Sequence, residues 1–203
     1  MKAWFFNYFQ TLKHGDKNFQ ENISLKEKHT VKVCKEILNI GKQLELNDYE
    51  LRLSEVIALF HDIGRFKQYA RYKTFFDGKS ENHAELGVKI LKENKVLNRF
   101  DESMQSLILR TISYHNRAAL PEDETDTCLF FSRLLRDADK LDIWRVVTDY
   151  YNRNNGKRNG AIELGLPDTA CFSDEVYQDL INKRIVDIKH LQNLNDFKLL
   201  QIG

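Results

Sequence analysis

The sequence predicts an all-α protein, a single-domain helical bundle, on three observations. Apolar residues recur at three- and four-residue spacing through most of the chain, the period of a helix face turned inward. Only two prolines and nine glycines occur in 203 residues, so long helices meet few breaks. No stretch keeps the two-residue alternation of a strand, and no internal repeat is visible.

The elements follow in order. Ala3 to Lys13 places Trp4, Phe5, Tyr8, Phe9 and Leu12 on one face, which suits a helix laid over the core better than a membrane-surface or dimer-contact helix. His14-Gly15-Asp16 reads as a stop and turn. Ser24 to Glu45 is helical by pattern, with Leu25, Val31, Val33, Ile37, Leu38, Ile40 and Leu44 apolar and His29 in its first turns. Asn47-Asp48 supplies an N-cap for the next helix. Its inward face, Leu53, Val56, Ile57 and Phe60, runs straight into His61-Asp62, with Gly64 and Arg65 close behind. The following FKQYARYKTFFDGKS alternates aromatic and basic residues and closes on the turn signal Asp77-Gly78. Ser80 can cap a helix from Glu81 to Lys95, with Leu86, Ile90 and Leu91 inward and His83 in its first turn. A helix from Glu102 to Tyr114 carries Leu107, Ile108 and Ile112 and ends at His115-Asn116; Pro121 to Glu124 is a loop. Thr127 to Tyr151 is the longest remaining helical pattern and contains Asp137, Asp139 and Asp142. Asn152 to Ala170, rich in Gly and Asn, reads as a loop or a lid across one face. Ser173 caps a helix to Lys189, and Asn193 to Leu200 is a last short one, so the core spans 24–151 with C-terminal helices over 173–203.

Composition narrows the partners. Hydrophobic residues are 42% and charged residues 30%, ordinary for a soluble globular protein. A net charge of +1, from 31 basic and 30 acidic residues, provides no field for DNA, RNA or anionic lipid. No nucleic-acid polymer and no membrane partner is therefore expected, while a local basic pocket for a small anion stays open. Cys34, Cys128 and Cys171 are too few and too scattered for a disulfide framework or a zinc signature, and reduced cytoplasmic thiols are the simplest account. No apolar run approaches the roughly 18 residues that span a bilayer. The opening MKAWFFNYF is short, interrupted by Asn7 and followed by no small-x-small cleavage site, so it reads as part of the fold.

An imidazole and a carboxylate at the end of a buried helix are costly unless something pairs with them. Either His61 is a cation at the negative end of its helix and Asp62 caps the next turn, or the two hold a divalent metal, which both donor types suit. The pair is not isolated. His29, His61, His83 and His115 each lie at or near a helix end or first turn, and Asp139 follows on a later helix. Such a set draws on five separate helices, unlike the single-helix HExxH pattern.

The order His29, His61-Asp62 within HDIGRF, His83 within NHAELG, His115 within YHN and Asp139 within DADKLD resembles the HD-domain superfamily of metal-dependent phosphohydrolases. The resemblance runs from His29 to Asp142. It implies that His29, His61, Asp62 and Asp139 bind one divalent transition metal, and that His83 and His115 serve a second, with Asp62 as the bridge. Mn, Fe, Ni, Zn and Co all suit such donors. Asp137 and Asp142 compete for the role of Asp139, and Asp142, three residues on, could instead orient a ligand. His29 and His83 as backbone-bonded helix starts, and His115 as a C-cap, are the structural alternatives. Neither the paired histidines nor the GYP signature of the cyclic-di-GMP phosphodiesterases is present, so that substrate is not expected.

What the resemblance implies is hydrolysis of a phosphate ester or anhydride of a nucleotide or other small phosphorylated molecule by a metal-activated hydroxide. Asp62, Arg65 and Lys140 are the expected catalytic residues, and Arg65, Lys67, Arg71, Asn116 and Lys140 the expected substrate contacts. Arg65 stands where many members have lysine, and its fork suits phosphate. For Lys67, Arg71 and Lys73 a solvated surface is an equal reading. A similar residue set serves di-iron oxygenases resembling myo-inositol oxygenase, which is the alternative activity. A homodimer is compatible with the aromatic first helix.

Overall fold

Helices form the secondary structure of the described residues, 1–12, 15–153 and 158–202 of this computed structural model, and no strand occurs among them. Lys13, His14 and part of the predicted 152–170 loop lie outside the described residues. The chain divides into two compact units, Met1–Asp149 and Tyr150–Gly203.

In the first unit, α1 (Lys2–Leu12) is a core element. Phe5 and Phe9 are fully buried, with their rings 5.7 and 5.6 Å from that of Phe66. Each ring removed from water in this way contributes about 1.5–3 kcal/mol, so the aromatic stripe is accounted for by packing. The second helix, α2 (Lys17–Gln43), starts well before the predicted Ser24. Asp16 caps it by accepting from Phe19 N at 2.8 Å, and the added turns bury Asn22, which donates to Tyr69 Oη at 2.9 Å. A short turn leads into α3 (Asp48–Phe60), which packs against α2 as a helical hairpin. Asn47 and Glu50 form the capping box that starts it.

The segment after Asp62 is a helix that the pattern did not reveal, α4 (Ile63–Tyr72). It buries Phe66, Gln68 and Tyr69, and its outer face carries Arg71 and Tyr72. It crosses α5 (His83–Glu93) where two glycines meet. A Cβ on Gly64 would lie 2.0 Å from the His83 carbonyl oxygen and 2.8 Å from Gly87 N, so only glycine allows this approach. Asn82, not Ser80, caps α5, accepting from Ala84 N and Glu85 N. Ser80 is turned the other way, donating to the Phe76 carbonyl and accepting from Gln68. The next helix, α6 (Glu102–Tyr114), has the predicted bounds and is capped by Asp101. In α7 (Asp126–Arg153), whose last residues belong to the second unit, Cys128, Phe131, Leu135, Ala138 and Asp142 form one buried stripe.

In the second unit, α8 (Asp174–Ile181) stops short of the predicted Lys189. Lys183 takes a left-handed φ of 54°, and Arg184 N closes the end on Asp179 O at 2.8 Å. Ser173 makes no side-chain cap; its hydroxyl and amide both donate to Asp196, each at 2.6 Å. Asp196 opens the first turn of α9 (Leu194–Leu200), is fully buried, and also accepts from Gln192 N and Asn193 N. Burial opposes its charge, but these donors hold its carboxyl below the ordinary range. A carboxyl with a depressed folded-state pKa stabilises above its unfolded value of about 3.9, and that contribution is lost as pH falls through the folded value. Asp196→Ala should therefore cost this unit at least about 2 kcal/mol by orphaning buried donors. Amide protection factors at Ser173, Gln192 and Asn193 should fall in the variant at neutral pH, and in the wild type only below about pH 4. No helix of the described residues is long and apolar enough to cross a membrane.

Candidate metal centre

Helix ends deliver three of the four histidines, while His29 lies in the middle of α2 rather than in its first turns, because that helix begins at Lys17. His61 and His115 occupy the C-cap positions of α3 and α6, where the last turn leaves carbonyls free to accept. Each ring uses one: His61 Nδ1 is 2.7 Å from Ala58 O, and His115 Nδ1 is 2.6 Å from Ile112 O. His83 is the first residue of α5, and its Nδ1 faces both Asp77 oxygens at 2.7 and 2.9 Å. His29, on α2, turns Nδ1 to Asp142 Oδ2 at 2.8 Å. All four acceptors are oxygens without a proton to give. A ring that is neutral in this setting carries its proton on Nδ1 and presents the Nε2 lone pair to the centre.

Those four Nε2 atoms converge on two carboxylates. Asp62 Oδ2 lies 3.6 Å from His29 Nε2 and 3.7 Å from His61 Nε2. Its other oxygen, Oδ1, lies 3.4 Å from His83 Nε2 and 3.7 Å from His115 Nε2. Asp139 Oδ1 closes the first group, 3.0 Å from His29 and 3.6 Å from His61. Two donor sets result that could each hold a metal ion: His29, His61 and Asp139, and Asp62, His83 and His115. Asp62 occupies the N-cap position of α4 but makes no capping bond, so both oxygens remain with the cluster. This excludes the alternative in which it merely caps the following turn.

The donor sets fit a cation. His29 Nε2, His61 Nε2 and Asp139 Oδ1 are buried without a hydrogen-bond partner. In the second set, His83 Nε2 and His115 Nε2 approach to 2.9 Å, where two lone pairs repel unless a proton or a metal lies between them. Burial and the Arg65 charge push the His83 pKa down to about 3, which disfavours the proton. Burial likewise opposes the charge on Asp62, yet Lys26, His61 and Arg65 hold its carboxyl well below the ordinary range. Asp139 is half-buried with its Oδ1 enclosed; burial opposes its charge, and His29 and His61 hold its carboxyl well below the ordinary range.

The supporting residues divide. Asp142 is buried, anchors His29, and is itself held by Arg145 Nε at 2.7 Å, the orienting position open to it from its place on Asp139's helix face. Asp137 is exposed. Asp77 gathers His83, Arg65, Gln68 and Asn116. Arg65 lies beside the cluster, with Nε 3.5 Å from Asp62 Oδ1, but its Nη1 is committed to Gln68, the Phe75 carbonyl and Asp77. Asn116 donates to Asp77 and Asn82 rather than toward the two carboxylates.

Among the described residues no hydrogen bond or ion pair links Lys67, Arg71 or Lys140 to the cluster. Arg71 is exposed and paired with Glu81, and Lys140 is exposed. Helical geometry explains this: neighbours in sequence point about 100° apart, so adjacency to a ligand does not aim a side chain at it. Lys73 lies over the Phe19 ring, 4.2 Å from its centroid. One cation escaped the sequence reading altogether. Lys26 Nζ is 2.8 Å from Asp62 Oδ2, and the only signal was its place one turn before His29 on the same helix face.

Asp77→Ala should weaken the ion held by Asp62, His83 and His115 by about 10–100-fold, as loss of a ligand's orienting partner does. Titration with Mn²⁺ checks this, and the site of His29, His61 and Asp139 should be unaffected.

A family model, the HD domain, matches residues 27–144. No curated protein and no solved structure matches the chain.

Proposed function

Because the chain belongs to the HD domain family, we propose that it is a metal-dependent phosphohydrolase acting on a phosphate ester or anhydride of a nucleotide or another small phosphorylated molecule. One observation carries the reading: Asp62 turns one oxygen to His83 and His115 and the other to His29 and His61. A carboxylate divided in this way serves two cation sites at once. Two divalent ions in these sets would bring the pKa of a bound water toward neutrality and take up charge on a phosphoryl oxygen.

The chain's own residues supply position and charge. Asp142 and Asp77 hold the rings of His29 and His83, and the Ala58 and Ile112 carbonyls hold those of His61 and His115. Arg65 places a fixed positive charge beside Asp62, where an anionic group would approach.

Protein purified without chelator and screened against nucleotides and sugar phosphates should release phosphate. Chelation should abolish that release, and Mn²⁺, Co²⁺, Ni²⁺, Fe²⁺ or Zn²⁺ should restore it. Bound iron with dioxygen consumption, and no phosphate released from any substrate, would instead support a di-iron oxygenase.

A further inference from the structure

Two cations flank the Asp62 carboxylate, and they are held differently. Arg65 is fixed, because moving its guanidinium would break bonds to Gln68, Phe75 and Asp77 together. Among the described residues Lys26 has the Asp62 carboxylate as its hydrogen-bond acceptor, and its ammonium lies 5.4 Å from the centroid of the Phe75 ring. The Lys26 side chain is 17% exposed, with Arg65 at 16% and Asp139 at 15%, against 4% or less for Asp62 and the four histidines, so these three border the buried part of the cluster.

The oxygen that Lys26 contacts is Oδ2, which also faces His29 and His61. An ammonium and a divalent ion drawn to the same carboxylate oxygen repel one another. The four-carbon stem of lysine lets the ammonium leave without any movement of α2. We propose that Lys26 exchanges Asp62 for an anionic oxygen of the substrate and is the mobile anion-binding group of this site, with Arg65 the fixed one. The identity of the anion as a phosphoryl group rests on the phosphohydrolase reading; the exchange does not. A rotatable ammonium with three donors suits a tetrahedral oxyanion in any orientation, whereas Arg65, its Nη1 bonded to Gln68, Phe75 and Asp77, contributes a fixed charge beside Asp62.

The test uses full-length protein loaded with Mn²⁺ and inorganic phosphate as the probe, with phosphate binding measured by calorimetry. Lys26→Met, which keeps the stem and removes the charge, should weaken phosphate binding by about tenfold or more, the loss of a charge-assisted hydrogen bond. Its Mn²⁺ content should match wild type, with equal or tighter affinity once the competing ammonium is gone. Lys26→Arg should recover most of the phosphate affinity. Lys26→Gln is read in the same way if Lys26→Met does not fold. Unchanged phosphate affinity in Lys26→Met, or no phosphate binding by wild type, would overturn the proposal. So would loss of Mn²⁺ from Lys26→Met, which would make Lys26 a positioning residue for Asp62. Phosphate held through Lys26 by a protein that hydrolyses no phosphoester would leave this inference standing and remove the phosphohydrolase reading. Hydrolysis with Lys26-independent phosphate binding would do the reverse.

Discussion

Asp62→Ala is expected to lose both ions and all hydrolytic activity while the helical far-UV signal survives. The side chain is 4% exposed and faces all four histidine Nε2 atoms, so its removal takes the carboxylate from the set of His83 and His115 and a negative charge from beside His29, His61 and Asp139. Metal affinity should fall by more than the 10–100-fold that follows loss of an orienting partner. The helices should persist because Asp62 caps nothing: α4 starts without a bond from its side chain. Asp62→Asn sharpens the test. It keeps the shape but offers one neutral oxygen and one amide, and should hold at most one ion weakly. Wild-type metal content in Asp62→Ala would remove the bridge from the account.

Gly64→Ala should have an effect of similar size by a different route. The added methyl meets backbone, not a yielding side chain: the His83 carbonyl oxygen at 2.0 Å and Gly87 N at 2.8 Å. Helices α4 and α5 must separate, and His83, the first residue of α5, moves with them. Overpacking of this kind costs about 1–3 kcal/mol and occasionally more, and rigid backbone on both sides places this case at the upper end. The variant should melt well below wild type and lose the ion shared by Asp62, His83 and His115. Gly87→Ala is the milder control, since its Cβ would meet the Ile63 side chain at 3.2 Å and Gly64 N at 3.4 Å. Equal melting temperatures for Gly64→Ala and wild type would contradict the close crossing.

These glycines show what was legible in the sequence and what was not. HDIGRF and NHAELG were readable as motifs, and the structure adds why the first needs its glycine: Gly64 meets the backbone of His83 and Gly87 at one helix crossing. His61, His83 and His115 were legible because each marks a helix end, and the bounds of α6 because Asp101 and His115 punctuate it; the place of His29 in mid-helix was misread because the start of α2 was set too late. Helix α4 was missed because the aromatic residues of its buried face, Phe66 and Tyr69, alternate in sequence with the basic residues Arg65, Lys67 and Arg71. The end of α8 was missed because a lysine, Lys183, takes the left-handed position usually given to glycine; Glu45, Lys73 and Lys95 do the same after α2, α4 and α5. Long-range partners left the least trace. Lys26 on Asp62, 36 residues away, depends on how helices pack, and no local spacing encodes that.

The most direct test of the two-ion site is the number of ions bound per chain. Wild-type protein loaded with Mn²⁺, freed of excess and counted by elemental analysis should hold two. His83→Ala and His115→Ala should each hold one, retained by His29, His61 and Asp139. One ion in all three proteins would contradict the division of Asp62 between two sites, and would leave His83 and His115 as contacts for substrate or as structural residues.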